Sequence, residues 1–132
     1  MNIETRLLRI PIVEDTADHQ EILRSLYRAH AWVMVDSSHR AISLIRAYSF
    51  DLISLDYNIQ GGDAVARAIL ETPDLTARII IHSMNPKGSA LISSILPDAI
   101  AFPVNKMIAS NARFKQLRER IDREGIAFDW QL

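Results

Sequence analysis

Three carboxylates and a histidine stand where short apolar runs stop. Glu14 and Asp15 follow "RIPIV", Asp56 follows "DLISL", and His82 closes "RIIIH", with Ser83, Asn85 and Lys87 just beyond. Carboxylates gathered at one edge repel each other, so they need a cation or a shared proton. An oxygen-rich set of this kind suits Mg²⁺, which takes a few carboxylates plus waters. His82 has the chemistry to give or take a proton near neutral pH. Asn85 precedes Pro86, which fits an extended residue entering a helix with proline near its first position. Plainer roles exist for each residue. Glu14, Asp15 or Thr16 could cap a helix, and Asp56 could begin a turn. His82 could be a core-edge histidine bonded to backbone, pointing away from Ser83 by strand alternation. All three carboxylates fall at the same kind of position, and this favours the chemical role. His19, His30 and His39 lack such a setting and read as surface or capping residues.

The elements that must position these groups alternate along the chain. "RIPIV" (9–13), "WVMV" (32–35), "DLISL" (51–55), "RIIIH" (78–82) and the weaker "AIAFPV" (99–104) are short and nearly continuous in apolar residues. That is the pattern of strands buried on both faces. Segments with helical spacing lie between and after them, at 18–30, 39–48, 63–71, 88–96 and about 105–124. Five alternations predict an α/β fold. A doubly wound, five-stranded parallel sheet of order 2-1-3-4-5 would carry helices on both faces. In such sheets ligands bind beyond the C-terminal ends of the strands, where the carboxylates collect. Pro11 has no N–H for a ladder, so a bulge or an unpaired site is expected there. The last helix offers i,i+4 pairs, Lys115/Glu119, Arg118/Asp122 and Arg120/Glu124, which read as a solvated face.

The bulk properties exclude several classes. The 132 residues predict one domain, 1–132, with about two-thirds of the unfolded surface buried on folding. Hydrophobic residues make up 48%, which argues against disorder, and the net charge of −1 gives no general pull toward nucleic acid or membrane. The absence of cysteine excludes disulfides and thiolate metal sites. No apolar run approaches the roughly 20 residues that span a bilayer, and the N-terminus lacks a secretory h-region, so the cytoplasm is the expected location. The tail "AFDWQL" either packs back on the domain or meets a second copy in a homodimer.

From residue 9 to about 121 the chain resembles a response-regulator receiver domain, with its flavodoxin-like sheet. "IVED" resembles the acidic pair after the first strand, and "SHRAISLIRAYSFDLISLD" resembles the segment ending in the phosphoacceptor aspartate. The resemblance implies that Asp56 accepts the phosphoryl group. It also implies that Glu14, Asp15, Asp56 and the Asn58 backbone carbonyl hold Mg²⁺. Ser83 falls at the receiver's hydroxyl position. Pro103 matches the proline after the fifth strand, usually cis in receivers, but Phe102 replaces the lysine before it. A narrower resemblance is to the cyclic-phosphate processing receivers. "HSMNP" matches their His-Ser-x-Asn-Pro motif, while in their Leu-Asp-His-Asp motif only "LD" is kept, with Tyr57 and Asn58 following. This resemblance implies action on a cyclic phosphate of a small molecule or an RNA end. Asp56, His82, Ser83 and Asn85 would be catalytic, and Ser83, Asn85 and Lys87 would hold phosphate. Two alternatives remain open. One is a single-domain response regulator phosphorylated on Asp56 by a histidine kinase. The other is a catalytically inert pseudo-receiver that serves as an interaction module.

Overall fold

Five strands and five helices alternate in the computed structural model, which describes residues 7–57, 61–72 and 76–124. The strands are β1 (Arg9–Val13), β2 (Ala31–Val35), β3 (Leu52–Leu55), β4 (Arg78–Ile81) and β5 (Ile100–Ala101). The helices are α1 (Ala17–Tyr27), α2 (Ser38–Ala47), α3 (Gly62–Leu70), α4 (Pro86–Ile95) and α5 (Ala112–Glu124). All pairings are parallel and the order is β2-β1-β3-β4-β5, as the alternation predicts. Among the described residues no helix is long and apolar enough to cross a membrane.

Strand parity divides the core. Ile10, Ile12, Leu52, Ile80 and Phe102 face α1 and α5, where they meet Leu23, Leu26, Tyr27, Leu117 and Ile121. Val13, Ile53, Leu55, Ile79 and Ile81 face α2, α3 and α4, where they meet Ala41, Ile45, Val65, Ile69 and Ile92. Each fully buried Leu or Ile contributes roughly 1.5–3 kcal/mol of transfer free energy. The two apolar layers therefore hold the three central strands from both sides.

Several boundaries differ from expectation for local reasons. Asn85 caps α4, its side chain accepting from the N–H groups of Lys87 and Gly88, so the helix starts at Pro86. A 3-10 turn (Val104–Lys106) follows β5, and α5 starts only at Ala112, where the Asn111 side chain accepts from Phe114 N–H. Gly61 sits at φ +81°, left-handed backbone that favours glycine, at the entry to α3. β2 is not buried on both faces, because it forms the sheet edge: Trp32 and Val33 are exposed. Pro11 makes no bulge in the β1–β2 register. Arg9 and Val13, of the same parity, direct their carbonyls to Asp51 and Asp56. The missing N–H of Pro11 therefore faces β3, where pairing begins only at Ile12.

The predicted solvated face of α5 is partly an anchor. Asp122 accepts from His30 Nε2 at 3.1 Å, and Leu8 N–H donates to His30 Nδ1. His30 is buried rather than a surface residue, and it ties the start of β1 to α5. The side chain of Glu124 and the tail "AFDWQL" lie outside the described residues.

Candidate functional site

Register assembles the site. Ile12 pairs with Ser54, Ser54 with Ile80, and Ile80 with Ile100. Two residues further along every strand, on the same face, stand Glu14, Asp56, His82 and Phe102. Backbone bonds continue the ladder to that level: Asp56 N–H to Val13 O, His82 N–H to Leu55 O, and Phe102 N–H to Ile81 O. The C-terminal edge of the sheet thus carries one transverse row of acid, acid, imidazole and phenyl. Glu14 and His82 are fully buried and Asp56 nearly so.

The row is wired by side-chain hydrogen bonds. His82 Nε2 lies 3.1 Å from Glu14 Oε1 and His82 Nδ1 lies 2.8 Å from Ser54 Oγ. A carboxylate only accepts, so Nε2 carries a hydrogen. In the imidazolium form Nδ1 also donates, to Ser54. Glu14 Oε2 accepts from the N–H groups of Asp15 and Thr16, and His19 Nδ1 approaches Oε1 to 3.4 Å. Burial is the largest influence on Glu14 and acts to raise its pKa. The hydrogen bond and charge of His82, the Thr16 N–H and the His19 charge together outweigh it and bring the value down from 4.5 to about 2. Beneath Ser54 lies Tyr27, whose buried hydroxyl lacks a well-formed hydrogen bond. Burial raises its pKa above the usual phenol value, and nearby Ser54 only partly offsets this.

The other residues singled out by type and spacing lie around this row. Asp15 is exposed at the end of β1, where it accepts from Thr16 Oγ1 at 3.4 Å. Ser83 is buried on the opposite face from His82, as alternation requires, and accepts from Asn85 N–H at 3.1 Å. Asn85 Oδ1 is engaged in capping α4, and Lys87 is exposed in the first turn of that helix. Tyr57 lies over α4: a Cβ added to Gly88 would stand 2.0 Å from the Tyr57 ring. Asn58 lies outside the described residues. Phe102 is buried against Phe114, ring centroids 6.3 Å apart, so the place held by lysine in receivers belongs here to the hydrophobic core. The peptide before Pro103 is trans, since no cis bond occurs among the described residues.

Glu14, Asp56 and His82 each offer one ligand atom, and these atoms lie within 4.8 Å of one another. Among the described residues Asp15 joins no such group. The two carboxylates suit a hard divalent ion such as Mg²⁺, while the imidazole brings a nitrogen that an all-oxygen shell does not need. Ser54 went unnoticed in the sequence, and His19, read there as a surface or capping residue, instead approaches Glu14. Ser54 had a signal, being the one polar residue inside "LISL" and of the same parity as Asp56. His19 had none, because its approach to Glu14 depends on how α1 leaves the strand. A cavity of about 530 Å³, lined in part by Leu70, Arg78 and Leu96, opens at the other end of β4, away from this chemistry.

The family model of the cyclic-phosphate processing receiver domain matches residues 12–98. No curated protein matches the chain. Among solved structures, a response regulator from Hahella chejuensis is 19% identical, covering 89% of this chain and 97% of its own, with a TM-score of 0.69. Response regulator TrrA from Thermotoga maritima, in complex with Mg²⁺ and BeF, is 22% identical, covering 87% and 96%, with a TM-score of 0.65. The receiver domain of a sensor histidine kinase from Pseudomonas aeruginosa, with magnesium coordinated in its active-site cleft, is 17% identical, covering 87% and 97%, with a TM-score of 0.67. At these identities the solved structures establish the shared fold.

Proposed function

The chain belongs to the cyclic-phosphate processing receiver domains, and from that membership we propose that it is a divergent receiver-like domain for metal-assisted opening of a cyclic phosphate. The observation that carries this is the buried row Glu14–Asp56–His82 at the C-terminal edge of the sheet. A divalent ion on the carboxylates of Glu14, Asp15 and Asp56, with the Asn58 carbonyl, would polarise a phosphoryl oxygen. Mg²⁺ is the ion named for two of the solved receivers. His82 would move the proton, since its Nε2 is held in place by Glu14 and its Nδ1 by Ser54. Ser83 and Asn85 shape the entry to α4, where Lys87 would meet the phosphate of a small molecule or an RNA end. The test is ring opening of a panel of cyclic phosphates, with and without Mg²⁺, by the wild type and Asp56→Ala. Metal-dependent opening lost in the variant supports the proposal, and no opening of any member of the panel rejects it.

A second function has its own supporting observation: the phosphorelay. Asp56 keeps the phosphoacceptor position, and one solved relative is a phosphorylated cyanobacterial phytochrome response regulator. In that case a histidine kinase is the partner. The group next to Asp56 in the row is His82, not a lysine from β5. The inert interaction module would be preferred if both assays failed while the fold stayed intact.

A further inference from the structure

We propose that His82 is itself a metal ligand, which makes the row a mixed nitrogen–oxygen centre for Mn²⁺, Co²⁺ or Zn²⁺ rather than an all-oxygen Mg²⁺ site. This rests on the row being a cation site and names the class of cation; it gives His82 Nε2 the place of a ligand in the metal-bound site, where it no longer carries a proton. The spacing is the first support. Adjacent ligands at about 2.1 Å from an octahedral ion stand about 3.0 Å apart, and ligands at about 2.0 Å from a tetrahedral ion about 3.3 Å apart. His82 Nε2 and Glu14 Oε1 are 3.1 Å apart, between those two values. An ion held by both atoms would sit to one side of the line between them, in place of the hydrogen that now lies on it. Asp56 supplies the third ligand atom within 4.8 Å, and all three side chains are buried.

The second support is the hydrogen bond behind the imidazole. A metal-bound histidine needs its other ring nitrogen protonated and oriented by an outer partner. Ser54 Oγ, at 2.8 Å from Nδ1, is such a partner. Its hydroxyl accepts from Nδ1–H in the imidazolium and would accept in the same way in a metal complex. Only Nε2 changes: its hydrogen leaves to solvent as the ion enters, while the bond from Nδ1–H to Ser54 is kept. Ser54 is accordingly a positioning residue. Imidazole next to carboxylate selects later divalent ions, whose affinity for nitrogen rises from Mn²⁺ through Co²⁺.

The test uses the full chain and the metals alone. Titration calorimetry with Mg²⁺, Mn²⁺ and Co²⁺ gives the affinities, and electron spin-echo spectroscopy of bound Mn²⁺ reports directly on coordinated nitrogen. The wild type should bind Co²⁺ at least tenfold more tightly than Mg²⁺ and show a ¹⁴N signal. His82→Gln should lose the signal and bring the Co²⁺ to Mg²⁺ ratio toward unity, and Ser54→Ala should weaken Co²⁺ binding about tenfold while leaving Mg²⁺ unchanged. His19→Gln should keep the signal. Bound Mn²⁺ with no ¹⁴N signal in the wild type overturns the proposal, and so does a signal lost in His19→Gln. Absence of binding by any of the ions also overturns it. Because binding is read without substrate, a chain that binds Co²⁺ through nitrogen but opens no cyclic phosphate leaves this proposal standing and rejects the enzymatic one.

Discussion

Replacing Glu14 by Gln should expose the worth of the buried acid–imidazole pair through pH. The carboxylate falls from an ordinary 4.5 to about 2 in the fold. At about 1.4 kcal/mol per pH unit, that difference is worth roughly 3 kcal/mol of stability. The side chain is fully buried, so solvent screening removes little of it. The sign follows from the depressed value. Above pH 4.5 the group is ionised in both folded and unfolded chains, and its full contribution is present. Between 4.5 and 2 the unfolded chain takes up the proton first, and the contribution drains away. Glu14→Gln keeps the shape and an acceptor for the Asp15 and Thr16 N–H groups but loses the charge that His82 faces. The gap between wild type and variant should be roughly 3 kcal/mol at pH 6 and shrink toward zero near pH 2. Urea unfolding followed by circular dichroism, at steps from pH 6 to 2.5, measures that gap. Taking the difference cancels the other carboxylates. A gap of the same size at both ends of the range, or one below about 1 kcal/mol at pH 6, would refute the reasoning.

His82→Leu should cost about 3–5 kcal/mol by leaving Glu14 buried without its partner, and Glu14→Leu combined with His82→Leu should cost less than the sum of the single changes, as denaturant midpoints will tell. Gly88→Ala should destabilise by about 1–3 kcal/mol, because its methyl would meet the Tyr57 ring at 2.0 Å; Tyr57→Ala in the same chain should relieve much of that loss in thermal melts. Phe102→Lys should lower the melting temperature, since it places a charge among Phe114 and the α1–α5 core at a cost of about 3 kcal/mol or more. Acetyl phosphate should label wild-type Asp56 poorly by intact mass, for want of the lysine that supports an aspartyl phosphate in receivers; stoichiometric labelling abolished by Asp56→Ala would put the phosphorelay ahead of cyclic-phosphate chemistry.

Periodicity along the chain carried the fold. Five apolar runs alternating with helical stripes leave little choice but a parallel sheet wound on both faces, and right-handed crossovers then restrict the strand order. The ends of those runs also located Glu14, Asp15, Asp56, His82 and Ser83 at one edge, because chain direction and strand length are local properties. Parity alone separated His82 from Ser83. Tertiary structure decided which of these groups meet. Glu14, Asp56 and His82 share a row only because the β1–β3–β4 register aligns Ile12, Ser54 and Ile80, residues 42 and 26 positions apart in the chain. That register is set by how α1 and α5 on one side and α2 to α4 on the other seat the strands, and no local pattern encodes it. The same holds for Ser54 beneath His82, for Tyr57 across Gly88, and for Asp122 turning from Arg118 to His30. Side-chain chemistry can be read one residue at a time, whereas a buried charge chooses its partner only once packing has excluded water from both.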